Sequence, residues 1–368
     1  MKRVILGMLM VIVFGCNVQA AQFSKATPVR VGADPAETVD VKAVMSQAEN
    51  NLNNARVYGV EIILNDELLM DVAIDQNTKV IYGNIPSEGG NMILWGDTGK
   101  KMAYLYDAKT QKWYFSPNDT DFSELEKQKD TAKQTVQTEN VVKYQYIGKV
   151  TMTVHEQAVE CYQIRAMESE PGEGSTCDYY VSTNGNQMIS TVITMQSEYV
   201  SGGVTMQMNF YYPESLSVPQ NVVANATLAP GYSVVKNKVN YKVKEVKGQP
   251  VFCVNDAYRT GKNVKILDSI MVCGKAYPVY EISDAAFLGN AKVKTVTIGK
   301  NVQVIGKKAF YKCKKLSTVK INAGNLKKVG KYAFKGTARS CKVKVAKKKY
   351  KKYKKLISKA KSGVIVTK

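Results

Sequence analysis

The spacing of apolar residues changes character along the chain. In "TVDVKAVMSQAENNLNNARV", Val41, Val44, Met45, Ala48 and Leu52 recur at three- and four-residue steps. That spacing predicts a helix with one buried stripe, capped at its start by Asp40. The period then drops to two. "VYGVEIIL", "LLMDVAI", "KVIYGNI", "KMAYLYD" and "KWYFS" read as strands, separated by the turn signals "LNDE", "DQNT", "GDTG" and "DAKTQ". A polar helical insert around "SELEKQKDTAKQTV" follows, with Glu124, Glu126 and Asp130 on a solvated face. The strands resume with "KVTMTV", "AVECYQIRA", "CDYYVS", "MISTVITMQSEYV" and "GVTMQMNFYY", with "EPGEG" as a loop. One helix on a long, strongly curved antiparallel sheet is the economical arrangement. An apolar concave side would make a lipid-sized cleft lined by Met92, Leu94, Tyr104, Tyr106, Met206 and Met208; the same residues could equally fill a closed core.

Further on, the pattern becomes a repeat. "VYEISDAAFLGNAKVKTVTI", "VQVIGKKAFYKCKKLSTVKI" and "LKKVGKYAFKGTARSCKVKV" align without gaps. Ile282, Ile305 and Val329 correspond at steps of 23 and 24 residues, and so do the pairs Ala286-Phe287, Ala309-Phe310 and Ala333-Phe334. Val296/Ile298, Val319/Ile321 and Val343/Val345 keep the same register. A unit this short cannot bury its apolar side alone, so like units must stack and share one core. Phenylalanine fills the space between layers, Cys313 faces inward as a small hydrophobe, and Gly306 and Gly330 mark tight turns. "VKILDSIMVCGKAYPVYEI" reads as a strand and hairpin that starts the stack.

The last lysine-rich run, "AKKKYKKYKKLISKAKSG", places Tyr350, Tyr353, Leu356, Ile357 and Ala360 on one helical face. Such a helix suits the end of a stack, whose final unit exposes core. Its tyrosine rings would bury while their hydroxyls stay wet, and its lysine stems would lie along the edges. Thr297, Lys320 and Lys344 point outward between the inward pairs of the strands, flanked by Thr295, Thr318 and Lys342.

Both halves resemble known families. "VIGKKAFYKCKKLSTVKI" resembles the BspA-like leucine-rich repeats of bacterial surface proteins, in the pattern IGxxAFxxCxxLxxVxI. The third unit departs, with Thr337 and Ser340 in place of cysteine and leucine, as in a terminal repeat. "GDTGKKMAYLYDAKTQKWYFS" and "VHEQAVECYQIRA" before "DYYVSTNGNQMIS" are similar to the LolA/LppX-like lipoprotein carriers, whose members hold acyl chains in a half-barrel. The implied fold is α+β. A curved antiparallel half-barrel sheet packed with helices spans 38–228, and a short leucine-rich-repeat solenoid with a basic C-terminal capping helix spans 232–368.

Charge and the remaining residues refine this picture. Residues 231–368 hold 35 Lys+Arg against 5 Asp+Glu, a net of +30, which leaves −9 for residues 1–230 out of +21 for the chain. The basic half therefore expects an anionic partner: wall polymer, host polysaccharide or protein. Lys320, Lys342, Lys344, Lys348, Lys351, Lys352 and Lys355 are the candidate contacts. Nucleic acid is not expected, because export disfavours it and the strands lack interleaved aromatics. Lys2, Arg3 and the apolar run Val4–Phe14 read as a signal peptide over 1–20, followed by a linker over 21–37. Cleavage after Ala20 releases the protein; "VFGC" alternatively makes Cys16 a lipidated first residue, the one route to a membrane. Six further cysteines lack CxxC spacing and read as mostly free thiols, with Cys161 and Cys177 the pair to test for a bridge. The single histidine, His155, sits in an alternating strand with no serine or cysteine partner and reads as structural. No metal site, cofactor site or catalytic constellation is expected.

Overall fold

A computed structural model describes residues 29–30, 38–87, 90–117, 141–168, 176–195, 203–257 and 260–368. The expectations for the signal segment, Cys16 and the 118–140 insert lie outside these residues. The chain divides into two compact units, residues 1–226 and 227–368.

The first unit is an open antiparallel sheet. In chain order its strands are β1 (Val29–Arg30), β2 (Val57–Leu64), β3 (Glu67–Asp75), β4 (Val80–Ile85), β5 (Met92–Asp97) and β6 (Met102–Asp107). They continue with β7 (Lys112–Pro117), β8 (Val141–Val154), β9 (Gln157–Glu168), β10 (Thr176–Ser182), β11 (Met188–Met195) and β12 (Val204–Tyr211). Hydrogen bonding orders them β1-β8-β9-β10-β11-β12-β2-β3-β4-β5-β6-β7. Val29–Arg30, inside the stretch read as linker, pairs with Thr151 and Val150 of β8. Strand β5 and the first half of β8 carry no strand expectation from the sequence; alternation there is masked by Trp-Gly and by a bulge at Tyr146/Gly148.

Helix α1 (Val41–Asn54) covers one face of the sheet. Asp40 Oδ1 accepts from Ala43 N at 3.1 Å, satisfying one of the unpaired amides at the helix start. Met45, Ala48 and Leu52 bury against Ile164, Tyr179, Met206 and Met208. A second short helix, α2 (Gln220–Asn225), buries Val222. On the other face the sheet curls over itself. Cα atoms of β8 and β12, four strands apart in the order, approach within 8 Å; a flat sheet would hold them about 19 Å apart. Val150, Met152, Cys161, Tyr180 and Ile189 form the core inside this curl.

The second unit begins with β13 (Thr227–Leu228), β14 (Ser233–Lys236), β15 (Val239–Val246), β16 (Gln249–Asp256), β17 (Asn263–Lys265) and β18 (Ser269–Val272). It continues with β19 (Lys275–Ile282), β20 (Thr295–Ile298), β21 (Val304–Ile305), β22 (Thr318–Ile321), β23 (Lys328–Val329) and β24 (Lys342–Val345), and closes with α3 (Tyr350–Lys359) and β25 (Ile365–Thr367). Layers stack in two sheets. One follows β17-β20-β22-β24-β25, parallel throughout; the other follows β14-β15-β16-β19-β21-β23. Phe287, Phe310 and Phe334 are fully buried and aligned, with ring centroids 4.7 Å and then 5.2 Å apart. Fully burying each ring stabilises the stack by roughly 2–3 kcal/mol. Cys313 donates to Phe287 O at 2.9 Å. The corresponding residue one turn earlier is Asn290, whose amide meets Ala257 O and Thr260 Oγ1 at 2.9 Å each.

The last helix closes the stack. Tyr353 and Ile357 are buried, Ala360 O accepts from Tyr332 N, and β25 adds the final strand beside β24. One detail differs from the expectation of wet hydroxyls. The Tyr353 hydroxyl is buried, donates to Ala323 O at 2.8 Å and accepts from Leu326 N at 3.0 Å. It gives Ala323 O the donor that Gly324 N, from the following unit, gives to Lys300 O one turn earlier.

Candidate functional site

Alternation in the first unit hides a row of polar side chains. Gln163, Tyr180, Ser190, Asn209, Glu61, Asp71 and Asn84 stand opposite one another in turn across β9, β10, β11, β12, β2, β3 and β4. They share the face away from α1. Ser190 and Asn209 are almost fully buried, and so is Asp71. Ser190, Asn209 and Asp71 each find partners, as buried polar groups must, whereas the buried Oδ1 of Asn84 has none. Arg165 grips Asp178 with two bonds of 2.6 and 2.8 Å, and Gln163 adds a third at 3.0 Å. Ser190 Oγ donates to Asn209 Oδ1 at 2.9 Å, and Asn209 Nδ2 donates to Glu61 Oε2 at 3.1 Å.

His155 closes the row. It lies not in a strand but at the β8–β9 turn, with φ 47°, and its Nε2 sits 3.0 Å from Glu61 Oε1. The ring lies against that of Tyr211, tilted by 36° with 3.8 Å between centroids, and Tyr211 donates to Asp71 Oδ1 at 2.6 Å. Space for that tyrosine comes from Gly59, where a Cβ would stand 2.0 Å from the Tyr211 ring. Electrostatics follow from these contacts. Burial pushes Glu61 up, but the hydrogen bonds from His155 and Asn209 outweigh it and leave its carboxyl below the usual range. Burial raises Asp71, and Tyr211 only partly offsets this. The bond to Glu61 raises His155 above its ordinary value, against a smaller opposing effect of burial. A cavity of about 610 Å³ lies beside His155 and Tyr211, lined also by Ser182, Thr183 and Gln187. Among the described residues no cluster of three or more His, Cys, Asp or Glu is placed to hold a metal.

The six residues considered for an apolar cleft divide between the two faces. Met206 and Met208 are buried beneath α1. By register Met92 and Leu94 share their face, with Met92 exposed and Leu94 packed on Ile74, Ile81 and Ala103. Tyr104 and Tyr106 lie on the opposite face, within two aromatic rows. One row runs Tyr82, Trp95, Tyr104, Phe115 across β4 to β7; the next runs Ile93, Tyr106, Trp113 across β5 to β7. Tyr82 and Trp95 are 4.8 Å apart, and Tyr106 and Trp113 are 5.2 Å apart. Most of these rings are half-buried. Cys161 and Cys177 are not joined by a disulfide. They occupy neighbouring strands, but Cys161 pairs with Ser182 and Cys177 with Ala166, so five residues of register and opposite faces separate them.

In the second unit, register aligns the lysines. Lys265, Thr297, Lys320, Lys344 and Thr367 form one outward row, and Thr295, Thr318 and Lys342 lie in the next. Lys348, Lys351, Lys352 and Lys355 are exposed at the capping helix, with Lys352 donating to Asn325 Oδ1 at 3.2 Å. Residues 285–368 contain 26 Lys+Arg and no Asp or Glu. The carboxylates of the unit lie earlier in its sequence, where Glu281 pairs with Lys244 and Asp268 with Lys300.

Residues 277–358 match the family model of the BspA type Leucine rich repeat region (6 copies), so the C-terminal stack is a BspA-type repeat region. No curated protein matches the chain. A leucine rich cell surface protein of Faecalibacterium prausnitzii is similar at 21% identity and a TM-score of 0.25. The match covers 31% of this chain and 32% of that one, so only about a third of that relative's length is spanned. A leucine-rich repeat protein of Bacteroides capillosus matches at 21% identity over 37% of this chain and 99% of its own, with a TM-score of 0.27. LprF of Mycobacterium bovis matches at 9% identity over 49% of this chain and 95% of its own, with a TM-score of 0.33.

Proposed function

We propose that the protein works outside the cell by binding rather than by catalysis, its repeat unit attaching to an anionic polymer of the wall or of a host surface. Charge segregation carries this reading: 26 Lys+Arg with no carboxylate side chain over residues 285–368. Neighbouring strands stand about 4.8 Å apart, well inside the screening length of roughly 8 Å at physiological ionic strength. Lys320 and Lys344, paired in register, therefore repel one another in the free protein. A polyanion laid along the stack relieves that repulsion, and its binding weakens as salt rises. The signal-like run Val4–Phe14 and the BspA-type repeats support export to the surface. Retention on purified cell walls across a salt series tests the idea. It fails if Gln substitution of Lys320, Lys342, Lys344 and the lysines of 347–355 leaves retention unchanged.

A second reading makes the first unit a half-barrel carrier of an acyl lipid or similar ligand, with the repeats as its anchor. The half-buried aromatic rows through Trp95 and Trp113 favour it, because they share the face toward which the sheet curls. Native mass spectrometry after gentle extraction tests it, and a clean apoprotein counts against it.

A further inference from the structure

The turns that carry the Ala-Phe pairs form another lysine surface, differently built from the strand face. Backbone bonds join like positions of successive turns: Ala285 N to Lys307 O at 2.9 Å, Lys308 N to Lys331 O at 3.1 Å, and Tyr332 N to Ala360 O at 2.6 Å. Ala285, Lys308, Tyr332 and Lys361 thus form one column, and all four have left-handed φ of 58°, 55°, 62° and 49°. Leu288, Tyr311 and Lys335 form the neighbouring column, as the bonds from Gly289 N to Tyr311 O and from Lys312 N to Lys335 O require. Tyrosine and lysine therefore exchange places between adjacent turns. Lys308 and Lys312 each hold Nζ 5.5 Å from the centre of the Tyr311 ring. Lys331 and Lys335 stand 5.0 and 4.7 Å from that of Tyr332. The four lysines are exposed and the two rings half-buried.

A ring quadrupole attracts an ammonium without cancelling its charge. A carboxylate in the same place would neutralise it, and residues 285–368 offer none. The two tyrosines thus reduce the freedom of four lysine stems while leaving four positive charges facing water. Ordering such stems in advance lowers the cost of binding. The charge carrier also matters. Arg339 is the single arginine among the 26 basic residues of 285–368. Arginine's planar fork grips carboxylates and phosphates alike in two-bond geometry, whereas lysine binds phosphate oxygens as a point charge. Both rings are already flanked by ammoniums, so they are not free platforms for a base or a sugar.

We propose that Lys308, Lys312, Lys331 and Lys335, positioned by Tyr311 and Tyr332, form a binding site for a linear phosphodiester polymer. This rests on the polyanion reading above and names its ligand class and its site. The test uses the full chain and poly(glycerol phosphate) as probe, with affinity measured across a salt series. Replacing the four lysines by glutamine is expected to weaken binding at least a hundredfold, and to lower the log–log salt slope by about 0.7 for each phosphate that is no longer neutralised. Tyr311→Leu with Tyr332→Leu keeps every charge and is expected to weaken binding about tenfold. Tyr311→Phe with Tyr332→Phe, which keeps the rings, is expected to bind as the parent does and guards against misfolding as the cause.

Parent-like affinity in the leucine pair overturns the positioning role. A four-lysine loss no greater than that of Lys320→Gln with Lys344→Gln overturns the site but leaves the polyanion reading standing. Tighter binding of a polyuronate matched in charge overturns the phosphodiester assignment. Failure of the parent chain to bind any polyanion at physiological salt defeats the underlying reading itself.

Discussion

The Tyr353 hydroxyl offers a one-atom test of how the repeat stack is closed. Tyr353→Phe keeps the fully buried ring and its packing but deletes the oxygen. Two backbone groups then lose their partner: Ala323 O, which accepts at 2.8 Å, and Leu326 N, which donates at 3.0 Å. Both residues are buried, so water cannot replace the bonds without opening the turn. An unsatisfied buried donor or acceptor costs about 1–3 kcal/mol, offset in part because a hydroxyl no longer needs to be desolvated. A net loss of about 2–3 kcal/mol follows, equivalent to a roughly 30- to 150-fold rise in the local opening equilibrium. Hydrogen–deuterium exchange with mass spectrometry reads this directly in peptides from β22 to α3. Tyr350→Phe is the control. Its ring is half-buried beside Lys354 and Lys368 at 5.5 Å, neighbours that phenylalanine retains. Equal exchange in the two variants would refute the claim that α3 closes the stack through this hydroxyl.

Other consequences are as direct. Gly306→Ala is expected to cost at least about 2 kcal/mol by overpacking, since its Cβ would stand 2.5 Å from Asp284 N. Gly324→Ala, whose nearest neighbour is Lys300 O at 3.9 Å, is expected to change far less when both are followed by urea unfolding. His155 is the chain's only histidine, so its NMR titration is unambiguous, and Glu61→Gln is expected to bring its raised pKa back toward 6.5. Because His155 is raised and Glu61 lowered, their pairing stabilises the first unit most between about 4.5 and 6.5. That contribution fades as pH climbs through the His155 value or falls through that of Glu61; a parent stability profile identical to that of Glu61→Gln would exclude it. Thiol labelling of the native chain should reach exposed Cys273 first. Cys161, Cys253 and Cys313, pushed up to about 12 by burial, should react slowly, and reduction should leave the mass unchanged.

The repeat unit was legible in the sequence because its information is local. Three columns recur at 23 and 24 residues, and each is satisfied by the like position in the next turn, as the bonds from Phe287 N to Ala309 O and from Phe310 N to Ala333 O display. Helix α1 was legible for a similar reason, since Asp40 and the stripe through Met45, Ala48 and Leu52 lie within one short segment. The polar row was not. Glu61 and Asn209 are 148 residues apart, and each looks like the solvent-facing member of an alternating strand. Burial of the row follows only when the β8–β9 hairpin folds across β12, which no local pattern announces. His155 was misplaced because the positive φ at the β8–β9 turn carries no glycine. Gly59, a glycine inside a strand, was the one available sign that a large side chain crosses there.

The two faces of the first unit do different physical work. Apolar contacts beneath α1 are non-directional: sliding β12 along β2 by two residues would still put methionines and isoleucines toward the helix. The same slip on the other face would separate Asn209 from Glu61 and Tyr211 from Asp71, leaving buried polar atoms without partners. Sliding β9 along β10 would break the two-bond grip of Arg165 on Asp178 in the same way. An unmade buried bond costs more than a made one contributes. The row therefore adds little to the depth of the native state but raises the energy of its register-shifted competitors. Where β12 meets β2, strands from distant parts of the chain with no turn to fix their register, that selectivity is what the hydrophobic pattern alone does not supply.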